Sequence, residues 1–251
     1  FNSNGFTAGA DSVNWGINYP SRNNVAWMWA ANGAGSSNTD GSLASTVSAN
    51  TAAGFSIVTA TPGISGTDTI GHGLGVAPKM IIGKNINLAD NWHVYHDAIS
   101  PANEVRLNTT SAATTTTWQS ASTSSVFQIK NGSWTNGGQV CLFYCFAEIP
   151  GYSSIGSYKG NSSTDGTFVY TGFRPSMILW KQSTGGNPWG IRDTARDPFN
   201  VAKAVLRPSG ADAETTASSA YCDILSNGFK LRATDGFVNN SASTYIYMAF
   251  A

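Results

Sequence analysis

The chain has 251 residues, 41% of them hydrophobic, which is long enough for one large or two medium domains with real cores. Charged side chains make up 11%, against about 25% in a typical soluble domain. Fourteen Lys plus Arg balance fourteen Asp plus Glu, so no net field steers nucleic acid or acidic lipid.

The polar surface must therefore come from Ser, Thr, Asn and Gly, which fill almost every segment between apolar runs. With 12% aromatic residues, this composition is common among extracellular and virion β-proteins. No apolar run approaches the roughly 20 residues a helix needs to cross a bilayer. The sequence opens on Phe1 with no basic-then-apolar leader, which reads as a processed or excised part of something longer. Cys141, Cys145 and Cys222 are an odd number. On one strand the first two would stand roughly 13 Å apart, too far for a disulfide. They read as small buried hydrophobes, and no disulfide framework, metal cluster or cofactor is implied.

Residues 1–53 read as the end of a repeat followed by a linker. SNGF at 3–6 returns at 226–229, and VAWMWAA at 25–31 has the texture of TYIYMAFA at 244–251. The first of these apolar runs is expected to be a strand over 25–30, paired within the chain or by a neighbouring subunit, since a bare apolar edge invites aggregation. The run from 32 to 54 has the composition of a linker.

From residue 54 the chain repeats itself. Gly54–Trp92 aligns without a gap onto Gly151–Trp189 at an offset of 97 (175 − 78 = 97 for the prolines), with 12 of 39 positions identical. The match resumes between SSVFQIKN (124–131) and SNGFKLRA (226–233), then between LFYCFA (142–147) and IYMAFA (246–251). Self-similarity of this kind points to two units on one plan, 54–150 and 151–251.

Each unit is rich in strand signals. KMIIGK and SMILWK are short apolar runs just after Pro78 and Pro175, where a missing N–H does least harm. NWHVYHD and NPWGIRD follow loops and read as hairpin partners. FQIKNGSW and FKLRATDG alternate, then break at Asn-Gly or Asp-Gly turns. VCLFYCFAE and TYIYMAFA are apolar nearly throughout, as strands covered on both faces are. The best helical stretch is DPFNVAKAVLR (197–207). The expected fold is all-β: two tandem antiparallel β-sandwich-like units plus a partial amino-terminal repeat.

The chemistry-bearing residues are few. GHGLG (71–75) leads into a strand rather than a helix, so it reads as a turn and not a phosphate loop. His93 and His96 lie three apart on a strand and point to opposite faces, so they do not chelate one ion; they read as polar residues in or beside a surface groove. Asp97, Asp193 and Asp197 with Arg192 and Arg196 read as a salt-bridge network. The glutamates are Glu104, Glu148 and Glu214, and no carboxylate pair or nucleophile motif stands out. Trp118 and Trp134 fall in polar segments, TTTTWQS and NGSWTNGG. Aromatic faces beside Asn, Asp and Arg hold sugar rings. Trp118, Trp134, Trp92, His93, Tyr95, His96, Asp97 and Arg192 are therefore the candidate ligand-binding residues, although Trp92 and Trp189 recur at matched positions as core residues do.

The run GFSIVTATPGISGTDTIGHGLGVAPKMIIGKN, with NWHVYHD, CFAEIPGYSSIGSYKGN, YIYMAF and the lead-in NTDGSLASTVSANTAAG, resembles a tandem β-repeat domain of tail-fibre and other tail-associated proteins of marine bacteriophages. The resemblance extends from about residue 25 to the end and brings no catalytic residues. It implies a non-enzymatic virion protein, extracellular or on the particle, in a homo-oligomer (trimer or larger) with other virion subunits. A tail fibre or adhesin contacting host-surface glycan is the leading expectation. A purely structural decoration, collar or filament subunit is the alternative, and a secreted glycan hydrolase or binding domain the third. No nucleic-acid partner and no membrane span is expected. Exposure of Trp118 and Trp134 separates the first two, and a pair of carboxylates in a cleft would mark the third.

Overall fold

The computed structural model describes residues 5–9, 17–20, 23–115, 118, 120–135, 137–216 and 218–251. The chain divides into two compact units, Phe1–Ala30 and Ala31–Ala251. Among the described residues it is nearly all β, with 39% in strands and 2% in helix, in several antiparallel sheets. The expected fold class holds.

In the second unit the strands are β1 (Ser36–Asn38), β2 (Ser45–Asn50), β3 (Phe55–Ala60), β4 (Thr67–Gly71), β5 (Met80–Asn85), β6 (His93–His96), β7 (Asn103–Arg106), β8 (Thr114–Thr115), β9 (Val126–Lys130) and β10 (Cys141–Phe146). They continue with β11 (Ser153–Lys159), β12 (Phe168–Tyr170), β13 (Met177–Gln182), β14 (Gly190–Asp193), β15 (Cys222–Leu225), β16 (Gly228–Leu231) and β17 (Thr244–Phe250).

The strand order repeats. In the first half β3-β10-β5-β6 are neighbours in that order, and in the second half β11-β17-β13-β14 take the same places. A second layer, β4–β9, recurs as β12–β16, with β15 added. Pro78 and Pro175 each stand two residues before the corresponding strand. The residue after each donates its amide to the matched Phe146 or Phe250 carbonyl, at 2.8 and 2.7 Å. Between the layers Val58, Ile81, Tyr95, Phe143 and Cys145 meet Ile70, Phe127 and Ile129. In the second half Tyr158, Ile178, Trp180, Tyr245 and Tyr247 meet Val169, Phe229 and Leu231. β10 and β17 read as apolar throughout because each is a central strand with neighbours on both sides and apolar side chains on both faces.

The ungapped alignment conceals compensating shifts. Ile70 faces Phe127 and Val169 faces Phe229, an offset of 99 (169 − 70), while Met80 and Met177 face Phe146 and Phe250, an offset of 97. Side chains alternate with period two, so burial sets the register and loop residues absorb the difference.

Three expectations are corrected. The run 32–54 is not a bare linker: it supplies β1 and β2, and Val47 turns into the core while Ser48 Oγ bonds the Gly33 carbonyl at 2.8 Å. Residues 25–30 form no strand, and Val25 and Met28 are exposed. The equivalents β10 and β17 each gain two ladders from strands of their own repeat, and residues 25–30 take part in none of the sheets. Residues 197–207 form no helix. Asp197 accepts from the amides of Lys203 and Ala204, while Ala202 and Val205 bridge to Cys222 and Thr215.

Val94 and His96 leave β6 on the face opposite Tyr95, and His96 Nε2 lies 3.3 Å from the Tyr247 carbonyl of the second half. Its Nδ1 accepts from the Ala98 amide at 3.1 Å, so the neutral Nε2–H tautomer fits. Burial pulls the imidazole from 6.5 to about 4, against the opposing pull of that carbonyl. Between those values the unfolded chain binds more protons, so stability is full above pH 6.5 and falls as the pH drops towards 4. The shift corresponds to about 3 kcal/mol. Chemical denaturation across this range should show the loss, and His96→Gln should make it shallower; an unchanged slope would contradict the assignment.

Candidate functional site

Trp118 and Trp134 are each 1% exposed, so the expectation of exposed sugar-stacking rings at these positions is overturned. Trp118 packs at 5.8 to 6.3 Å from Tyr95, Trp134, Phe127 and Phe143. Trp134 lies flat on His93, centroids 4.5 Å apart and planes 9° apart. It also covers Gly83, where a Cβ would stand 2.6 Å from the ring. Their polar neighbours in sequence mislead because both rings fold inward from loops over β9 and β5.

The second half fills the same slot differently. The position matching Gly83 is Trp180, and the position matching His93 is Gly190, where a Cβ would stand 2.2 Å from the Trp180 ring. An indole from the strand itself thus replaces an indole from a loop. The exchange of Gly for a large ring at two matched positions was the sequence signal for this slot, and it was missed.

The remaining candidates are mostly structural as well. His93, Tyr95, His96 and Arg192 are buried, so the histidines do not line a surface groove, although they do point to opposite faces. His93 Nδ1 is 2.8 Å from Glu104, itself 2% exposed. Arg192 is absent from the expected salt-bridge network. It donates to the Ala202 and Ala220 carbonyls and to Cys222 Sγ, and sits 5.5 Å from the Trp180 ring centroid. The network forms instead from Arg196 with Asp193 at 2.7 Å and with Glu214. Lys79 pairs with Glu148 at 2.5 Å, so each glutamate has a cationic or histidine partner. Asp97 is exposed, 3.5 Å from the Tyr95 hydroxyl.

The cavity beside Arg192, lined by Tyr158, Trp180 and Cys222, holds about 10 Å³, room for roughly one water. Burial pushes the Cys141 and Cys145 thiols up to about 12, which leaves neither as a nucleophile at neutral pH. His72, fully buried, bonds the Thr123 carbonyl and the Leu74 amide.

Of the sequence candidates, Trp92 stays near the surface, on the first main sheet beside Tyr144 of β10, while the exposed aromatics include Tyr152, Phe168, Tyr170 and Phe199 elsewhere. Trp92 is half-buried and stacks on Tyr144, centroids 6.4 Å apart and planes 8° apart; Tyr144 stacks in turn on Phe55. Ile86 and Leu88 beside them are exposed. Lys84 curls over its own loop, donating to the Asn85 and Leu88 carbonyls at 2.5 and 2.7 Å.

The matched face of the second half is closed. Lys181 is fully buried and donates to Gln182, Gly185 and Thr110. Burial pulls its ammonium down to about 8. Trp189, also buried, donates its indole N–H to the Arg106 carbonyl at 2.8 Å, and the Ala113 amide donates to Ser183. Residues 106–113 of the first half thus lie as a strap across the β13–β14 hairpin. Trp92 and Trp189, matched in sequence, differ in burial because one has this strap and the other does not.

Trp134→Ala should destabilise the chain by about 3–5 kcal/mol, as removal of a fully buried indole does. Trp92→Ala should cost about 1 kcal/mol, the worth of one half-exposed aromatic pair. Urea titrations of the two variants measure the difference, and equal costs would contradict the assignment of one ring to the core and the other to the surface.

No curated protein and no solved structure matches the chain. A family profile matches residues 1–251, its whole length. The chain therefore belongs to the family described as Domain of unknown function (DUF7483).

Proposed function

We propose that this protein is a non-catalytic structural module of a bacteriophage virion, a subunit of a fibre, collar or decoration that works by presenting and stacking rigid β-repeats. The observation that carries the reading is the burial of Trp118 and Trp134. The rings that would have marked a sugar-binding adhesin are core, and with them the adhesive reading loses its main support. Consistent with a structural role, the glutamates are held in pairs and the thiols are pushed far above neutral pH. The grooves beside β2, of 340 and 190 Å³, are lined by Ser, Thr, Asn, Ala and Gly with a few aliphatics, without a charge or a ring. The virion setting rests on the resemblance of the repeat motifs to tail-associated proteins and on the uncharged, Thr/Ser/Asn-rich composition.

Mass spectrometry of gradient-purified particles from the producing culture tests this. The chain should co-sediment with the particles in many copies, and the purified protein should release no reducing ends from envelope polysaccharides. Absence from particles, or turnover of such a polysaccharide, would overturn the reading.

A further inference from the structure

The two halves meet in a way that is not closed. The strap of residues 106–113 supplies the second half with the Arg106 carbonyl for the Trp189 indole and the Thr110 carbonyl for Lys181. A two-fold contact would place the second half's strap on the first half in return, and it does not. Among the described residues, the Trp92 indole N–H and the third N–H of Lys84 meet no acceptor. The matching strap is nonetheless built. Trp92 donates its amide to Asn108 and Trp189 donates its amide to Ser209, which fixes an offset of 101 (209 − 108). Residues 207–214 then correspond to 106–113. Gly210 donates to the Arg207 carbonyl as Thr109 does to that of Arg106, and residues 210–214 are all exposed. The first repeat thus carries a seat that the 207–214 strap does not fill, and the second carries a strap matching the one that fills such a seat inside the chain.

We infer that the Trp92 face binds the 207–214 strap of a second copy of this chain, head to tail. The Trp92 indole would take the Arg207 carbonyl of the second copy, and Lys84 the Ala211 carbonyl, continuing between chains the contact that joins the repeats within one. A contact between different patches propagates into a ring or filament instead of stopping at a dimer. This gives the structural reading above its partner, although the contact is derived from the internal interface alone. Self-association without presence in particles would cost only the virion reading, and presence in particles without self-association only this one.

The test uses the chain of residues 1–251, light scattering across a wide concentration series, and two variants, Trp92→Ser at the seat and Ala211→Arg with Ala213→Arg on the strap. Wild type should rise with concentration above the mass of one chain, 26.3 kDa. Each variant alone should stay at one chain while keeping its cooperative melting. The two mixed should form a species of two chains and nothing larger, since each retains one intact half of the contact. Wild type fixed at one chain's mass, or variants that assemble as wild type does, would overturn the proposal. So would a single-chain wild type whose Trp92 fluorescence responds to a library of neutral oligosaccharides, since that would assign the face to glycan.

Discussion

An ammonium group taken wholly out of water must recover its hydration from the protein or lose its proton. Lys181 has three N–H groups and meets three backbone carbonyls, two from its own hairpin loop and one from the strap of the preceding repeat. No carboxylate is needed, and the desolvation still shows as an ammonium pulled down to about 8. Around this point the seam between the repeats is assembled. Trp189 bonds the strap beside it, Ser183 receives the Ala113 amide, and on the far side His96 and Phe146 rest against Tyr247 and Phe250. Removing the strap would leave a buried cation and a buried indole N–H short of acceptors and the Ser183 carbonyl short of a donor, a far larger penalty than the loss of one surface contact. The repeats are therefore joined by hydrogen bonds that are costly to leave unmade as much as by apolar area.

Within each repeat the governing constraint is different. Two thin sheets must enclose a core, and an indole has to sit where β5 and β6, or β13 and β14, come together. The chain satisfies that requirement with Trp134 from a loop in one half and with Trp180 from a strand in the other, and each time glycine makes the room. Function follows from what these two arrangements leave over. Once the cores and the seam have taken their aromatic, histidine and arginine side chains, the aromatic pair Trp92–Tyr144 is the conspicuous surface feature of the outer sheet face, and its matched counterpart is an interface.

Much of the architecture was legible in the sequence. The matched prolines, the apolar runs at 80–85 and 177–182, and the two-sided strands at 141–146 and 244–250 carry period and turn chemistry that tertiary packing does not override. Burial of individual rings was not legible, because loop composition says what surrounds a residue in sequence and not what covers it. Trp118 and Trp134 look exposed for that reason, and a comparison of Gly83 with Trp180 would have exposed the error. The strands at 36–38 and 45–50 were hidden by Ser, Thr and Asn, which resemble a linker although the first pairs as the sheet edge and the second lies between two neighbours. The absence of a helix at 197–207 depends on Asp197 capturing amides six and seven residues on, a local competition that periodicity does not report.

Calorimetry of the seam tests the central claim most directly. If Lys181 and Trp189 join the repeats into one cooperative body, wild-type chain should melt residues 31–251 in one transition whose calorimetric and van't Hoff enthalpies agree. The double variant Lys181→Met, Trp189→Phe should then separate into two transitions, one for each repeat. Two independent transitions in the wild type, or a double variant that still melts as one body, would contradict the account.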